Sequence, residues 1–249
     1  MKNTILLLSF LFLFYGCSSH FDKNTSVIYL AGDSTMSEKE PKARPETGWG
    51  EMLGDYFEDG IKIENHAKNG RSSKSFIFES RWDTIVGKLK KNDIVFIQFC
   101  HNDSSPTKKE RYSTPEEYRK NLIKFVTDTR QKKATPVLFT PVVRRRFNEE
   151  GEFEESHGEY PDIIRSIAKE YKVSLIDMQK SSKKALIEMG EDASKKLYMI
   201  LEKGESANYP DGKEDNTHFS PTGANLMASL AVQDIRLSNL DIKKFLKNP

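Results

Sequence analysis

Val27-Ile28-Tyr29-Leu30-Ala31-Gly32-Asp33-Ser34-Thr35-Met36 sets a strand and a serine at the head of this chain. An apolar run that ends in Gly-Asp-Ser is a buried strand delivering its serine to the rim of a sheet, and open α/β folds bind their ligands at that rim. Ser34 is therefore the candidate nucleophile. A serine hydroxyl is almost wholly protonated at neutral pH, so it needs a base beside it and hydrogen-bond donors for the oxyanion it creates.

Working outward, residues 61–65 alternate as a second strand and pass into the polar turn His66-Ala67-Lys68-Asn69-Gly70-Arg71-Ser72-Ser73. Residues 93–99 form a third apolar strand that runs into Cys100-His101-Asn102-Asp103. Residues 136–140 form a fourth, followed by a polar loop with Arg144-Arg145-Arg146, and residues 173–176 a short fifth. Helical spacing appears at 48–57, where Trp49, Met52, Leu53, Tyr56 and Phe57 share a face, and at 82–89. There Lys88, Lys90 and Lys91 suit the negative end of the helix dipole. A capping Thr114 with Pro115 and Glu117 starts a helix that runs to about Lys132. Further helices are expected over 160–171, 181–189 and 220–235. Residues 37–46, with Pro41 and Pro45, read as a charged surface loop, and 203–217 as a long loop. Strands alternating with helices imply a single α/β domain with a parallel sheet covered on both faces.

The 249 residues are ample for one well-cored domain. A formal net charge of +2, with Lys and Arg scattered rather than gathered among aromatics, argues against nucleic acid as a partner. Lys2 and the apolar run 5–15 form a signal-peptide core, too short to span a membrane comfortably. Gly16-Cys17 followed by Ser18-Ser19-His20 resembles a bacterial lipoprotein signal, with 1–16 removed, Cys17 lipidated and 17–26 a tether to the catalytic domain 27–249. The protein is then exported and anchored in the cell envelope through that lipid. Phe14 and Tyr15 are bulky for such a signal, which leaves ordinary cleavage as the alternative. With Cys17 removed or acylated, Cys100 has no disulfide partner and reads as a small buried residue at a strand end.

His218 lies in Asp215-Asn216-Thr217-His218, just before the last helix. A carboxylate three residues ahead of a histidine can hold one ring nitrogen and leave the other for the serine. That is the chemistry of a Ser-His-Asp triad, which is defined by geometry and not by sequence order.

Gly32-Asp33-Ser34, Gly70 in its Asn-Gly-Arg-Ser turn, Asn102-Asp103 and Asp215 to His218 resemble the four blocks of the SGNH hydrolases, or GDSL-like esterases. Thr47-Gly48-Trp49-Gly50, Asn65-His66-Ala67 through Ser75-Phe76, Gln98 to Asp103, and Thr140-Pro141 through Arg144-Arg145-Arg146-Phe147 resemble the rhamnogalacturonan acetylesterase branch. The resemblance covers about 27–240. It implies a flavodoxin-like three-layer α/β/α sandwich and serine esterase chemistry without metal or cofactor. By position, Ser34 is the nucleophile, His218 the general base and then acid, and Asp215 the group that orients His218. The backbone N–H groups of Ser34 and Gly70 and the Asn102 amide form the oxyanion hole. The implied substrate is an acetylated polysaccharide or oligosaccharide, acetylated rhamnogalacturonan foremost. Cys100 departs from the family, which has glycine there; if the turn requires a positive φ, cysteine strains it and displaces the Asn102 donor.

Secondary candidates carry two readings each. Asp33 stabilises the turn under Ser34 rather than doing chemistry. His101 sits behind Asn102 and holds it. Trp49 is a sugar platform or a core residue. Arg144, Arg145 and Arg146 bind galacturonate carboxylates or pair with Glu149, Glu150 and neighbouring acids. His66 and His157 rise no higher than surface or packing residues. Rival functions are another ester substrate, such as acetylxylan, on the same machinery, and a non-catalytic carbohydrate-binding lipoprotein.

Overall fold

The computed structural model describes residues 20–248. In chain order the elements are β1 (Val27–Gly32), α1 (Trp49–Met52), β2 (Lys62–Asn65), α2 (Ser73–Phe78), α3 (Arg81–Lys88), β3 (Ile94–Gln98), α4 (Pro115–Gln131), β4 (Thr135–Phe139) and α5 (Tyr160–Glu170). They continue with β5 (Ser174–Ile176), α6 (Met178–Met189), α7 (Glu191–Ser194), β6 (Tyr198–Leu201), β7 (Lys213–Phe219) and α8 (Pro221–Leu237). Strands pair in the order β2-β1-β3-β4-β5, and every pair is parallel.

The two-residue period of the strands divides the core. Ile28, Leu30, Ile94, Phe96, Val137 and Phe139 face one side, where they meet Trp49 of α1, Met178 of α6 and Met227 of α8. Tyr29, Ala31, Val95, Ile97 and Leu138 face the other, against Phe76 of α2, Trp82 of α3, Tyr118 of α4 and Ile164 of α5. A sheet apolar on both faces needs helices on both, which is the three-layer α/β/α sandwich. Local signals set its ends. Thr114 Oγ1 accepts from Glu117 N at 3.2 Å while Glu117 Oε2 accepts from Thr114 N at 2.9 Å, and Ser220 Oγ accepts from Gly223 N at 3.2 Å. In the order 2-1-3-4-5 the chain moves away from β1 in opposite directions through β2 and β3. The loops at their carboxyl ends part there and leave a crevice.

Three expectations change. Residues 48–57 are not one helix: α1 has four residues and gives way to a 3₁₀ turn at Leu53–Tyr56. The loop expected over 203–217 contains most of β7, which pairs antiparallel with β6 as a separate ribbon. The polar run Lys-Glu-Asp-Asn-Thr-His hides that strand, because no apolar alternation marks it. Residues 21–26, expected as tether, are packed: Phe21 is buried in the core and its N–H donates to Asp241 Oδ2 at 2.9 Å. The signal peptide and Cys17 lie outside the described residues.

Candidate active site

β1 ends in a turn tied by its own side chains. Asp33 Oδ1 accepts from Thr35 N at 3.0 Å and Thr35 Oγ1 at 2.8 Å. Its carboxyl is fully buried, and burial pushes its pKa up. It makes no hydrogen bond to Ser34 Oγ or His218, in keeping with a structural role. The turn is pressed from outside by α1. Trp49 N donates to Thr35 O at 2.9 Å, and a Cβ on Gly48 would stand 2.1 Å from Ser37 O, one on Gly50 2.4 Å from Met36 O. Only glycine permits that approach.

The turn leaves Ser34 Oγ 2.9 Å from His218 Nε2, and His218 Nδ1 is 2.8 Å from Asp215 Oδ2. Asp215 Oδ1 also accepts from Thr217 N at 2.9 Å and His218 N at 3.0 Å. Burial works to raise the Asp215 carboxyl, but the His218 hydrogen bond and charge and the two N–H groups outweigh it and hold the group well below the carboxylate range. An ionised Asp215 can only accept, so the ring proton sits on Nδ1 and Nε2 is left as the acceptor for the Ser34 hydroxyl. The line Asp215–His218–Ser34 can thus draw a proton from the serine as it attacks an electrophile.

Donors surround the space in front of Ser34. Gly70 has φ +73°, and its N–H and that of Ser34 donate to no acceptor among the described residues. Asn102 Nδ2 gives one hydrogen to Arg71 O at 3.0 Å and retains a second. Asp103, next in sequence, accepts from Ser73 N at 3.0 Å, Ser73 Oγ at 2.5 Å and Ser113 Oγ at 2.8 Å, which pins this turn to the start of α2. Burial raises the Asp103 carboxyl to about 7 in spite of those bonds. Cys100 does not strain the turn: it is not among the residues with positive φ, and its side chain is buried among Phe99 and Tyr118. Burial, with Asp103 and Asp33 nearby, pushes its thiol well up, so it is no nucleophile.

Several substrate-contact candidates are placed elsewhere. Trp49 is completely buried, stacked on Phe139 at 5.6 Å with Nε1 donating to Gln98 Oε1 at 2.9 Å, so it offers no platform to a sugar. Its helical spacing is that of a core residue. Arg145 is buried as well. Nη1 donates to Asn216 Oδ1 at 3.0 Å and Nη2 to Glu191 O at 2.9 Å, so it props the strand bearing Asp215 and His218. Arg146 is exposed, paired with Glu154 at 2.8 Å and outside the cleft. Arg144 alone of the three lines the cleft, its Nη2 on His101 O at 3.1 Å.

His101 does not hold the Asn102 amide. Its Nδ1 lies 2.8 Å from Nε2 of His157, which is buried and whose Nδ1 lies 3.0 Å from Glu155 Oε1. Burial works against ionising Glu155, but His157 and the Ser156 N–H outweigh it and hold the carboxyl at about 2. Burial also pulls both imidazoles below their usual range. With Nδ1 of His157 donating to Glu155, its Nε2 is left to accept from His101 Nδ1, and His101 lines the cleft.

Reasoning from sequence misses an ion array behind the nucleophile. Lys39, from the loop expected to be solvated, has its side chain 1% exposed and donates to Ser34 O and to Asn69 Oδ1 at 2.7 Å. Its Nζ pairs with Glu46 at 2.9 Å, Glu46 with Lys213 at 3.2 Å, and Lys213 with Asp215 at 3.5 Å. Burial pulls the Lys39 ammonium down despite Glu46. Burial likewise opposes the Glu46 carboxylate, but His218, Lys39 and Lys213 together keep it low. The array joins the nucleophile turn to the triad acid. The cleft in front of it has a volume of about 470 Å³, and every side chain that lines it is polar or charged.

A 2-1-3-4-5 parallel sheet that presents this serine, histidine and carboxylate at its crevice is laid out for ester hydrolysis. The chain belongs to the GDSL-like Lipase/Acylhydrolase family, which residues 30–226 match, and it is a carboxylic ester hydrolase. The rhamnogalacturonan acetylesterase RhgT of Bacillus subtilis is 41% identical over 219 residues, 88% of this chain and 93% of its own length. YesY of the same organism, a probable rhamnogalacturonan acetylesterase, is 37% identical over 84% of this chain and 92% of its own. The solved structure of B. subtilis YxiM superposes with a TM-score of 0.73 at 27% identity over 85% of this chain, which spans 56% of that longer one.

Proposed function

We propose that this chain removes acetyl groups from an acidic plant polysaccharide, acetylated rhamnogalacturonan foremost, through an acetyl-enzyme on Ser34. The observation that carries the reading is the Ser34–His218–Asp215 line facing a wholly polar cleft. Such a cleft has no channel for a long acyl chain. Lys108, Arg111 and Arg144 line it, and a guanidinium pairs well with the carboxylate of a uronic acid. The names borne by RhgT and YesY support the same polymer.

Ser34 Oγ attacks the acetyl carbonyl carbon as His218 Nε2 takes its proton. The oxyanion lies between the N–H groups of Ser34 and Gly70 and the free Asn102 hydrogen. Collapse breaks the bond to the sugar oxygen, which leaves with the proton from His218. Water then attacks the acetyl-enzyme, again losing a proton to His218, and acetate departs with Ser34 restored. Export by the leader, with Cys17 acylated, belongs to this reading.

Acetate release from acetylated rhamnogalacturonan tests it, with Ser34→Ala, acetylxylan and para-nitrophenyl acetate run alongside. The expected result is release that Ser34→Ala abolishes. Release undiminished in Ser34→Ala would overturn the mechanism, and release from acetylxylan alone would reassign the polymer.

A further inference from the structure

At the sheet edge opposite Ser34, three helix-to-strand turns enter β3, β4 and β5 side by side. Each has a residue in the left-handed region two positions before its strand: Asn92 (φ 74°), Lys133 (φ 59°) and Lys172 (φ 51°). The turns converge on a depression of about 630 Å³ lined by Lys91, Arg130, Lys133 and Lys172 and by no acidic residue. Lys90 and Lys132 flank it, exposed. Three nearby acids are engaged elsewhere: Glu64 of β2 by Lys88, Glu170 of α5 by Arg119 and Asp128 of α4 by Lys124. Asp93 is buried and accepts from Val27 N and Lys90 N. A lysine at a helix C-terminus offsets the dipole of that helix. Three such turns brought together, with no carboxylate lining the depression between them, leave a concentrated positive field.

We propose that this face binds the phosphates of an anionic phospholipid surface. The chain enters the fold here. Phe21, the first of the described residues to be buried in the core, lines the adjoining groove with Asn92, Thr135 and Ser174. Cys17 is four residues upstream and reaches at most about 14 Å from it. Acylation of Cys17, the leader reading on which the choice of a membrane rests, sets the lysines among the headgroups. Ser34 lies at the far end of a six-residue strand, roughly 20 Å away, and faces outward. Each lysine held near such a surface adds attraction to the anionic headgroups. Acidic polysaccharide would respond to the same charge, but no aromatic ring in the depression offers a sugar a stacking surface.

The test uses the chain from Ser18 onward, which retains every core residue from Phe21 to Leu246 and lacks the acyl site. It is sedimented with vesicles of equal parts phosphatidylglycerol and phosphatidylcholine, with pure phosphatidylcholine vesicles, and with polygalacturonate. The expected result is salt-sensitive binding to the anionic vesicles alone. Binding should weaken roughly a hundredfold in Lys91→Ser/Lys133→Asn/Lys172→Asn, about fivefold per lysine, with no change in melting temperature. Asparagine is chosen because it tolerates the left-handed region. Should that variant melt early, Lys90→Ser/Lys91→Ser/Lys132→Ser removes three charges without touching a left-handed position and should weaken binding equally. Equal binding by parent and a folded variant, or no binding to anionic vesicles, overturns the proposal. Binding to polygalacturonate without vesicle binding overturns it in favour of a polysaccharide surface.

Discussion

At the rim that carries Ser34, Lys39 and Lys213 share Glu46, Lys213 also reaches Asp215, and Arg145 is used up on Asn216 and Glu191. At the opposite rim Lys91, Lys133 and Lys172 answer to no carboxylate lining their depression. The two rims put the same charge to different uses. Engaged cations position the groups they touch, while unengaged ones are left for a ligand. Arg144 and Arg145, adjacent in sequence, differ within one loop: Arg145 is closed off on Asn216 and Glu191, while Arg144, resting on His101 O and Ser156, pairs with no carboxylate among the described residues and lines the cleft.

The largest effect that tests the division is on Asp215, the acid at the end of the ion array. Asp215→Asn keeps the shape and removes the charge, and kcat is expected to fall on the order of 10⁴-fold. In the parent, Asp215 is held well below the carboxylate range, so it remains ionised as the pH falls. The acid limb of kcat/KM should then owe no proton to Asp215, which leaves Asp103, raised to about 7, as the carboxyl of the site that changes charge in that range. Asn102→Ala comes next, with kcat lowered roughly 10²- to 10³-fold and KM little changed, read from steady-state kinetics. An effect confined to KM would take Asn102 out of the oxyanion hole. Lys39→Met should cost about 3 kcal/mol of stability in a denaturant titration, since it breaks a buried pair beside the nucleophile turn. A cost near zero would mean that the buried cation holds nothing. Smallest is the contrast between neighbours. Arg144→Ala should raise KM for an acidic polymer about tenfold, one charged hydrogen bond's worth, and leave para-nitrophenyl acetate unaffected. Arg146→Ala, a surface change, should stay within about 0.5 kcal/mol on every measure. Equal effects of the two would erase the distinction.

What the sequence discloses follows the same line. Ser34, the five parallel strands and the capped helices are written in local patterns of apolar period and turn residues, which act over a few positions. His218 and Asp215 are legible because three residues separate them. Lys39 and Glu46 are not legible: a charge in a proline-containing loop reads as solvated, and only the path of the chain brings Lys213 to them across more than half its length. His157 meets His101 from 56 positions away. Trp49 is left between platform and core by the sequence, because helical spacing looks alike whether a face meets solvent or core, and burial decides for core. Strand β7 escapes because its stability comes from β6 and Arg145 rather than from apolar alternation.

The ribbon carries one consequence beyond chemistry. Ser34 is rooted in the central sheet, whereas Asp215 and His218 belong to β7, whose partner is four residues long. Short, partly exposed pairs of strands open more readily than the core they lean on. Heating should therefore silence the enzyme at a temperature where the sheet still stands, and cooling should restore it without refolding. Inactivation and melting, followed side by side, are expected to part.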